Sequence, residues 1–371
     1  MNEATSSPVG SAVRLGGWVG VILAGAVLLV GLFVDTDRTF AALLVAGAFG
    51  LTVGLGVPLL AAVCTLCGAR WWEPLRPLVH TCGRTLVLPG SVIFATLAGG
   101  LWFLYPWADA EVVAHSHLLQ MKEAWLNPFF FLARAIVVLL LWFGMTGLLL
   151  RSLGSNRSGE APTPRRGAAL FLVVFVPTLS VATWDWFLSL EPEWFSTMSS
   201  ALQFASLFLG AIAAVTLLSQ TPLGRRLGCR FERDEQRHDL GKMLFAFSMF
   251  WAYVWFCQLM LIWYANIPEE TSHYAQRWQG GWTLVFWLNP ILSFGVPFAV
   301  LLPSGPKRHA TTLVQVSLAV LVGRWLELYL WVEPTLGPAP AFPVLAVVAT
   351  LGLLAGMVLV VARALSSPSI A

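Results

Sequence analysis

Charge is what this chain has least of. Only 11% of its 371 residues are Asp, Glu, Lys or Arg, whereas 57% are hydrophobic and the mean hydropathy is +0.75. Soluble domains carry about a quarter charged residues, so a soluble globular protein is excluded, and no nucleic-acid partner is expected. Histidine and cysteine are scarce too, at six and five, and their positions argue against most redox cofactors. Haem b between helices needs histidines projecting from the spans, whereas His80, His115, His117, His238, His273 and His309 read as loop or helix-end residues. Covalent haem c needs Cys-x-x-Cys-His, and "CTLCG" at Cys64–Gly68 lacks the histidine. Cys82, Cys229 and Cys257 are too scattered for a ferredoxin pattern, and Walker and dinucleotide glycine motifs are missing. The expectation is a chain that holds no metal or redox centre and is not catalytic alone.

Long apolar runs are what it has instead. A bilayer core about 30 Å thick takes roughly 20 apolar residues per helix. Ten segments qualify, near 16–34, 40–66, 85–105, 129–150, 168–190, 197–218, 242–265, 282–302, 311–332 and 342–364. The chain reads as an all-α, multi-pass membrane protein. Its polar start, "MNEATSSPVGSAVR", lacks the basic region and cleavage site of a signal peptide, so the first segment is expected to stay in the mature chain.

Basic residues collect in cytoplasmic loops. Arg70, Arg76, Arg84, Arg151, Arg157, Arg165, Arg166, Arg225, Arg226, Arg230, Arg233, Arg237, Lys242, Lys307 and Arg308 fall on one face, together with Arg14 and Arg363 near the termini. The other face has Arg38, Lys122 and Arg277 and most of the acids. Both termini are therefore expected in the cytoplasm of a bacterial-type inner membrane, with the acidic rim outside. The Arg-rich loops between the fourth and fifth and the sixth and seventh segments read as solvated connectors.

Internal repetition comes next. "AWLNPFF" (Ala124–Phe130) is echoed by "FWLNPIL" (Phe286–Leu292), and "DWFLSLEP" (Asp185–Pro192) by "ELYLWVEP" (Glu327–Pro334). Tyr105, Pro106, Asp109, Glu111, His115 and His117 are matched in order by Tyr264, Pro268, Glu269, Glu270 and His273. Features displaced by four helices predict two parallel-repeat four-helix bundles. The expected division is a tail and peripheral helix over 1–39, bundles over 40–192 and 193–334, and a peripheral helix with its tail over 335–371.

Ionisable groups at membrane depth are costly and usually mark ion, proton or ligand paths. Asp185, Glu327, Arg324 and Arg134 are the candidates for a proton path. Arg324 and Glu327, three apart, lie on one helix face and read equally as a self-neutralising structural pair. Glu327 is also expected to face Arg134 across the repeat. His115, His117, Glu191, Glu269, Glu270 and His273 are candidates for the acidic rim or for quinone contact. Trp184, Trp194, Trp263 and Tyr264 read first as an interfacial belt.

"FWAYVWFCQLMLIWYANIPEET", "DWFLSLEPEWFST" and "KEAWLNPFFFLARA" resemble the shorter large membrane subunit of the alternative complex III family, within the NrfD and polysulfide-reductase anchor group. The resemblance runs from the second segment to the tenth, with Glu327 where an aspartate is commoner. It implies a ten-helix subunit of a respiratory or photosynthetic quinol:acceptor oxidoreductase. The implied partners are a larger NrfD-like sister subunit, a multihaem cytochrome c and an iron-sulfur protein, which carry the haem c and the clusters. Quinol or quinone contact and proton translocation are the implied roles. A purely structural anchor, and after it an independent transporter, are the alternatives.

Overall fold

The computed structural model describes residues 8–154, 163–227, 229, 234–337 and 343–366. Arg157, Arg230 and Arg233 of the basic face lie outside them. Among the described residues there are helices and no strand. Ten helices among the described residues are long and apolar enough to cross a membrane: α1 (Val13–Val34), α2 (Thr36–Leu66), α3 (Glu73–Gly99), α4 (Pro128–Gly154), α5 (Pro164–Leu190), α6 (Met198–Gln220), α7 (Glu235–Ala265), α8 (Trp282–Leu301), α9 (Ala310–Leu336) and α10 (Val344–Arg363). This is the architecture of a multi-pass membrane protein.

Small residues decide which helices are central. Helices in lipid associate by close packing, not by escape from water. The runs "AALLVAGAFG" in α2 and "ASLFLGAIAAV" in α6 present little bulk and are almost wholly buried. α6 packs on α7, α9 and α2, and α2 also carries α3, α9 and α10. α1 has few buried residues and lies against α10. At Gly210 on α6 an added Cβ would sit 2.5 Å from Thr52 Cγ2, so glycine there lets α6 close on Thr52 of α2, while the Arg324 stem lies at ordinary contact distance, 3.5 Å from the same point.

Three helices depart from simple rods. α2 breaks at Leu55, where Gly54 lies against the Leu86 backbone. α3 begins earlier than its hydropathy predicts, because Arg76, His80 and Arg84 dilute a stretch that is nonetheless helical. His80 thus lies within a helix, which corrects its sequence reading as a loop or helix-end residue. α8 contains Pro290 followed by a π turn over Ile291–Gly295, the kind of irregularity that proline imposes by removing a backbone donor.

Candidate functional site

The site is built where α7 gives out. Asn266 adopts φ +48°, the left-handed cap that ends helices, and its N–H bonds to Ile262 O at 3.0 Å. Pro268 then starts a short helix, Pro268–Arg277. One face of that helix is wet, with Glu269 exposed and Glu270 half-buried. The other buries His273 and Arg277. Glu191, just beyond α5, meets both: His273 Nδ1 lies 2.8 Å from Glu191 Oε2, and Arg277 Nη2 donates to Glu191 Oε1 at 2.7 Å. Arg277 also donates to the Leu330 carbonyl of α9 (2.8 Å) and to His273 O (2.7 Å). The His273 ring stacks on Trp194 at 3.8 Å.

Burial pushes Glu191 up, but the charges of His273 and Arg277 and the hydrogen bonds from both override it and hold the carboxyl down at about 2. Burial, helped by Arg277, pushes His273 down to about 4 against the pull of Glu191. A histidine at about 4 is neutral at pH 7, so the standing ion pair is Glu191 with Arg277. A carboxylate only accepts, so Nδ1 of the neutral ring carries the hydrogen and Nε2 is the acceptor.

Beneath this cluster lies a cavity of about 40 Å³ whose lining includes His273, Arg277, Gln258, Asn289 and Glu327. A water needs about 10–15 Å³ of such space and at least two polar partners, so the cavity suits a short water chain. Asn289 reaches it from α8 just ahead of the π turn, and Ser293 within the turn donates to Asn289 Oδ1 at 3.3 Å. Glu327, on the cavity wall, accepts from Arg324 Nη1 at 3.1 Å and from Ser206 Oγ at 2.7 Å, while Trp251 Nε1 holds Ser206 at 2.8 Å. Arg324 Nη2 donates to Gln203 Oε1 at 2.9 Å. Arg324 Nε, Gln203 Nε2 and Gln258 Oε1 are buried without a partner. A further cavity of about 30 Å³ touches Arg324, Gln203 and Thr183. Buried polar atoms normally find partners, and the neighbouring cavities give these orphans room for water.

The other buried pair is closed. Arg134 Nε and Nη2 grip Asp185 at 2.6 and 3.1 Å, Trp125 Nε1 adds 3.0 Å, and Arg134 Nη1 donates to Trp125 O at 2.9 Å. The guanidinium lies over the rings of Trp125 (4.1 Å) and Phe130 (4.3 Å). Arg134 therefore pairs with Asp185 and not with Glu327, contrary to the sequence expectation, because each arginine is nearest to a carboxylate of its own region.

The structure also separates the rim candidates. His115 is exposed and bonds the Glu111 carbonyl of its own turn at 2.8 Å, and His117 is exposed. The Glu270 carbonyl accepts from Trp194 Nε1 at 3.1 Å. Tyr105 is buried with its hydroxyl on Trp186 O, whereas its sequence counterpart Tyr264 is exposed. Trp184, Trp263 and Tyr264 are exposed as a belt requires, but Trp194 is buried in the site. Sequence reasoning missed Gln203, Ser206, Trp251, Gln258 and Asn289, and counted Arg277 only as a surface charge. Single polar residues in apolar helices were the available signal. Among the described residues, no three His, Cys, Asp or Glu side chains gather as a metal site. The chain matches no protein-family model and no curated protein.

Proposed function

We propose that this chain is a proton-conducting membrane subunit of a quinol:acceptor oxidoreductase of the alternative complex III type, with no redox centre of its own. One observation carries the proton path: the same small cavity touches Glu327 at membrane depth and the His273–Arg277–Glu191 cluster at the acidic end. Quinol oxidation releases protons with electrons, and a subunit without electron carriers has the protons left to handle. Glu327 takes up a proton and passes it through the cavity towards His273, while Arg324 exchanges between Glu327 and Gln203 to compensate the charge. The basic asymmetry supports an orientation with the acidic end outside an inner membrane and both termini in the cytoplasm. The recurring Trp-Leu-Asn-Pro and Glu-Pro segments support two parallel bundles, α2–α5 and α6–α9, flanked by α1 and α10.

A second reading, a structural anchor for haem and iron-sulfur subunits, is favoured by the closed Arg134–Asp185 pair, which has the geometry of a strut. Mild purification from the native membrane, followed by vesicle assays of quinol-driven acceptor reduction and proton release, tests both. The proton reading expects co-purifying multihaem cytochrome and iron-sulfur proteins, and proton release that Glu327→Gln slows without disassembly. Full release in that variant favours the anchor. Purification of the chain alone in an active state favours a transporter.

A further inference from the structure

A larger cavity lies elsewhere and extends to the arginine-rich end. α10 packs along α1 and α2 and is tied to α9 by the Trp325 Nε1–Thr350 Oγ1 hydrogen bond of 2.9 Å. Between α9 and α10, a cavity of about 650 Å³ reaches from that bridge to Leu78, near the start of α3, and to Leu227, in a turn beyond α6. Leu318, Val322, Leu351 and Val358 on its walls are exposed, so it opens sideways onto the apolar surroundings of the helices.

Its chemistry is one-sided. The hydroxyls in its lining are turned back to their own helices, Thr81 to Pro77 O at 2.8 Å, Thr85 to Cys82 O at 2.7 Å and Thr350 to Ala346 O at 2.7 Å. Trp325 Nε1 is satisfied by Thr350. Apolar cavities exclude water and accept hydrocarbon. Its lining runs from Leu318 to Leu326 on α9 and from Val347 to Val361 on α10. At 1.5 Å per residue these stretches are about 12 and about 21 Å, which bracket the ~15 Å of one leaflet's hydrocarbon. Arg84 follows the lining residue Thr81 by one turn, and Arg225 and Arg226 precede the lining residue Leu227; all three arginines are exposed.

We propose that this cavity binds an acyl chain of an anionic phospholipid whose phosphate sits among Arg84, Arg225 and Arg226. An isoprenoid quinone is the poorer fit, because its ring needs a hydrogen-bond partner and the cavity wall has none to give. The site is separate from the Glu327 path and stands or falls independently of it.

The test takes the full-length protein in the assembly in which it purifies, exchanged into nanodiscs of equal phosphatidylglycerol and phosphatidylcholine with added isoprenoid quinone, and weighs retained lipid by native mass spectrometry. One phosphatidylglycerol per chain is expected. Leu318→Trp with Leu351→Trp fills the cavity from two exposed positions and should abolish retention at unchanged helical circular dichroism. Arg84→Gln with Arg226→Gln should keep a lipid bound but lower the preference for phosphatidylglycerol about 25-fold, about fivefold per arginine near a charged surface. If the tryptophan variant fails to fold, the arginine variant decides alone. Equal retention of phosphatidylcholine by the parent protein, retained quinone in place of lipid, or a preference unmoved by the arginine changes would overturn the proposal.

Discussion

The two buried arginine–carboxylate pairs carry the same charges and are built in opposite ways. Around Asp185 every guanidinium nitrogen of Arg134 makes a hydrogen bond, two rings cover the guanidinium, and both carboxylate oxygens are gripped. Around Glu327 the arginine gives a single bond, keeps an unpartnered Nε and gives its other arm to Gln203, and one cavity touches Glu327 while another touches Arg324. A buried pair with all its bonds made resists change, since removing either partner strands a charge. A pair with spare donors and neighbouring space can exchange partners. Membrane depth alone therefore does not distinguish the two pairs; incomplete satisfaction beside a cavity does, and it is the ground on which the proposed path runs through Glu327 and not Asp185.

The largest effect should come from breaking the closed pair. Asp185→Ala strands Arg134 and is expected to cost about 3–5 kcal/mol, read as a lowered unfolding midpoint in mixed micelles. Arg134→Met with Asp185→Leu should recover most of that stability and leave proton release intact. A stable double variant that no longer releases protons would put Asp185 on the path and erase the contrast.

Next is the open pair. Glu327→Gln keeps an oxygen for Ser206 and Arg324 but cannot titrate, so quinol-driven proton release should fall about a hundredfold, the lower end of what a positioned proton-transfer group contributes. Its loss of stability should be smaller than that of Asp185→Ala. Normal rate and stoichiometry would make both pairs struts.

The Glu191–His273 cluster sharpens the comparison through pH. His273 takes up a proton near 6.5 in the unfolded chain and only near 4 when folded. Stability from this residue is therefore complete above 6.5 and lost as pH falls towards 4. Glu191, held from 4.5 down to about 2, adds a second loss below 4.5. Unfolding midpoints measured against pH should show both windows, and His273→Gln should remove the upper one. A profile unchanged in that variant would show that His273 is not the buried neutral group.

The smallest effect belongs to the support of Glu327. Trp251→Phe deletes the donor that holds Ser206 and should cost about 1 kcal/mol, with proton release within about twofold of the parent, well short of what loss of a positioned proton-transfer group costs.

Helix number and placement were legible because each span is a long apolar run, and Arg324–Glu327 was legible because three residues apart on a helix means adjacency. The partner of Asp185 lies 51 residues away and that of His273 lies 82 away, and no periodicity connects such positions. The acid-and-imidazole order shared by Asp109–His117 and Glu269–His273 was read as two equal clusters. Side-chain direction separates them: the Pro268–Arg277 helix turns His273 inward, whereas His115 and His117 stay exposed. Gln203 and Ser206 carry no pattern of their own and gain meaning only when α6 is laid against α9.

The π turn of α8 adds a matter of heredity. A π turn amounts to one residue inserted into an α-helix, and each residue rotates a helix by about 100°. Deleting a single codon within Ile291–Gly295 would swing the Asn289 end of α8 by about that angle relative to the rest. The polar lining that Asn289 and Ser293 supply can thus be gained or lost in one reading-frame-preserving step, without lengthening a loop or altering any other helix.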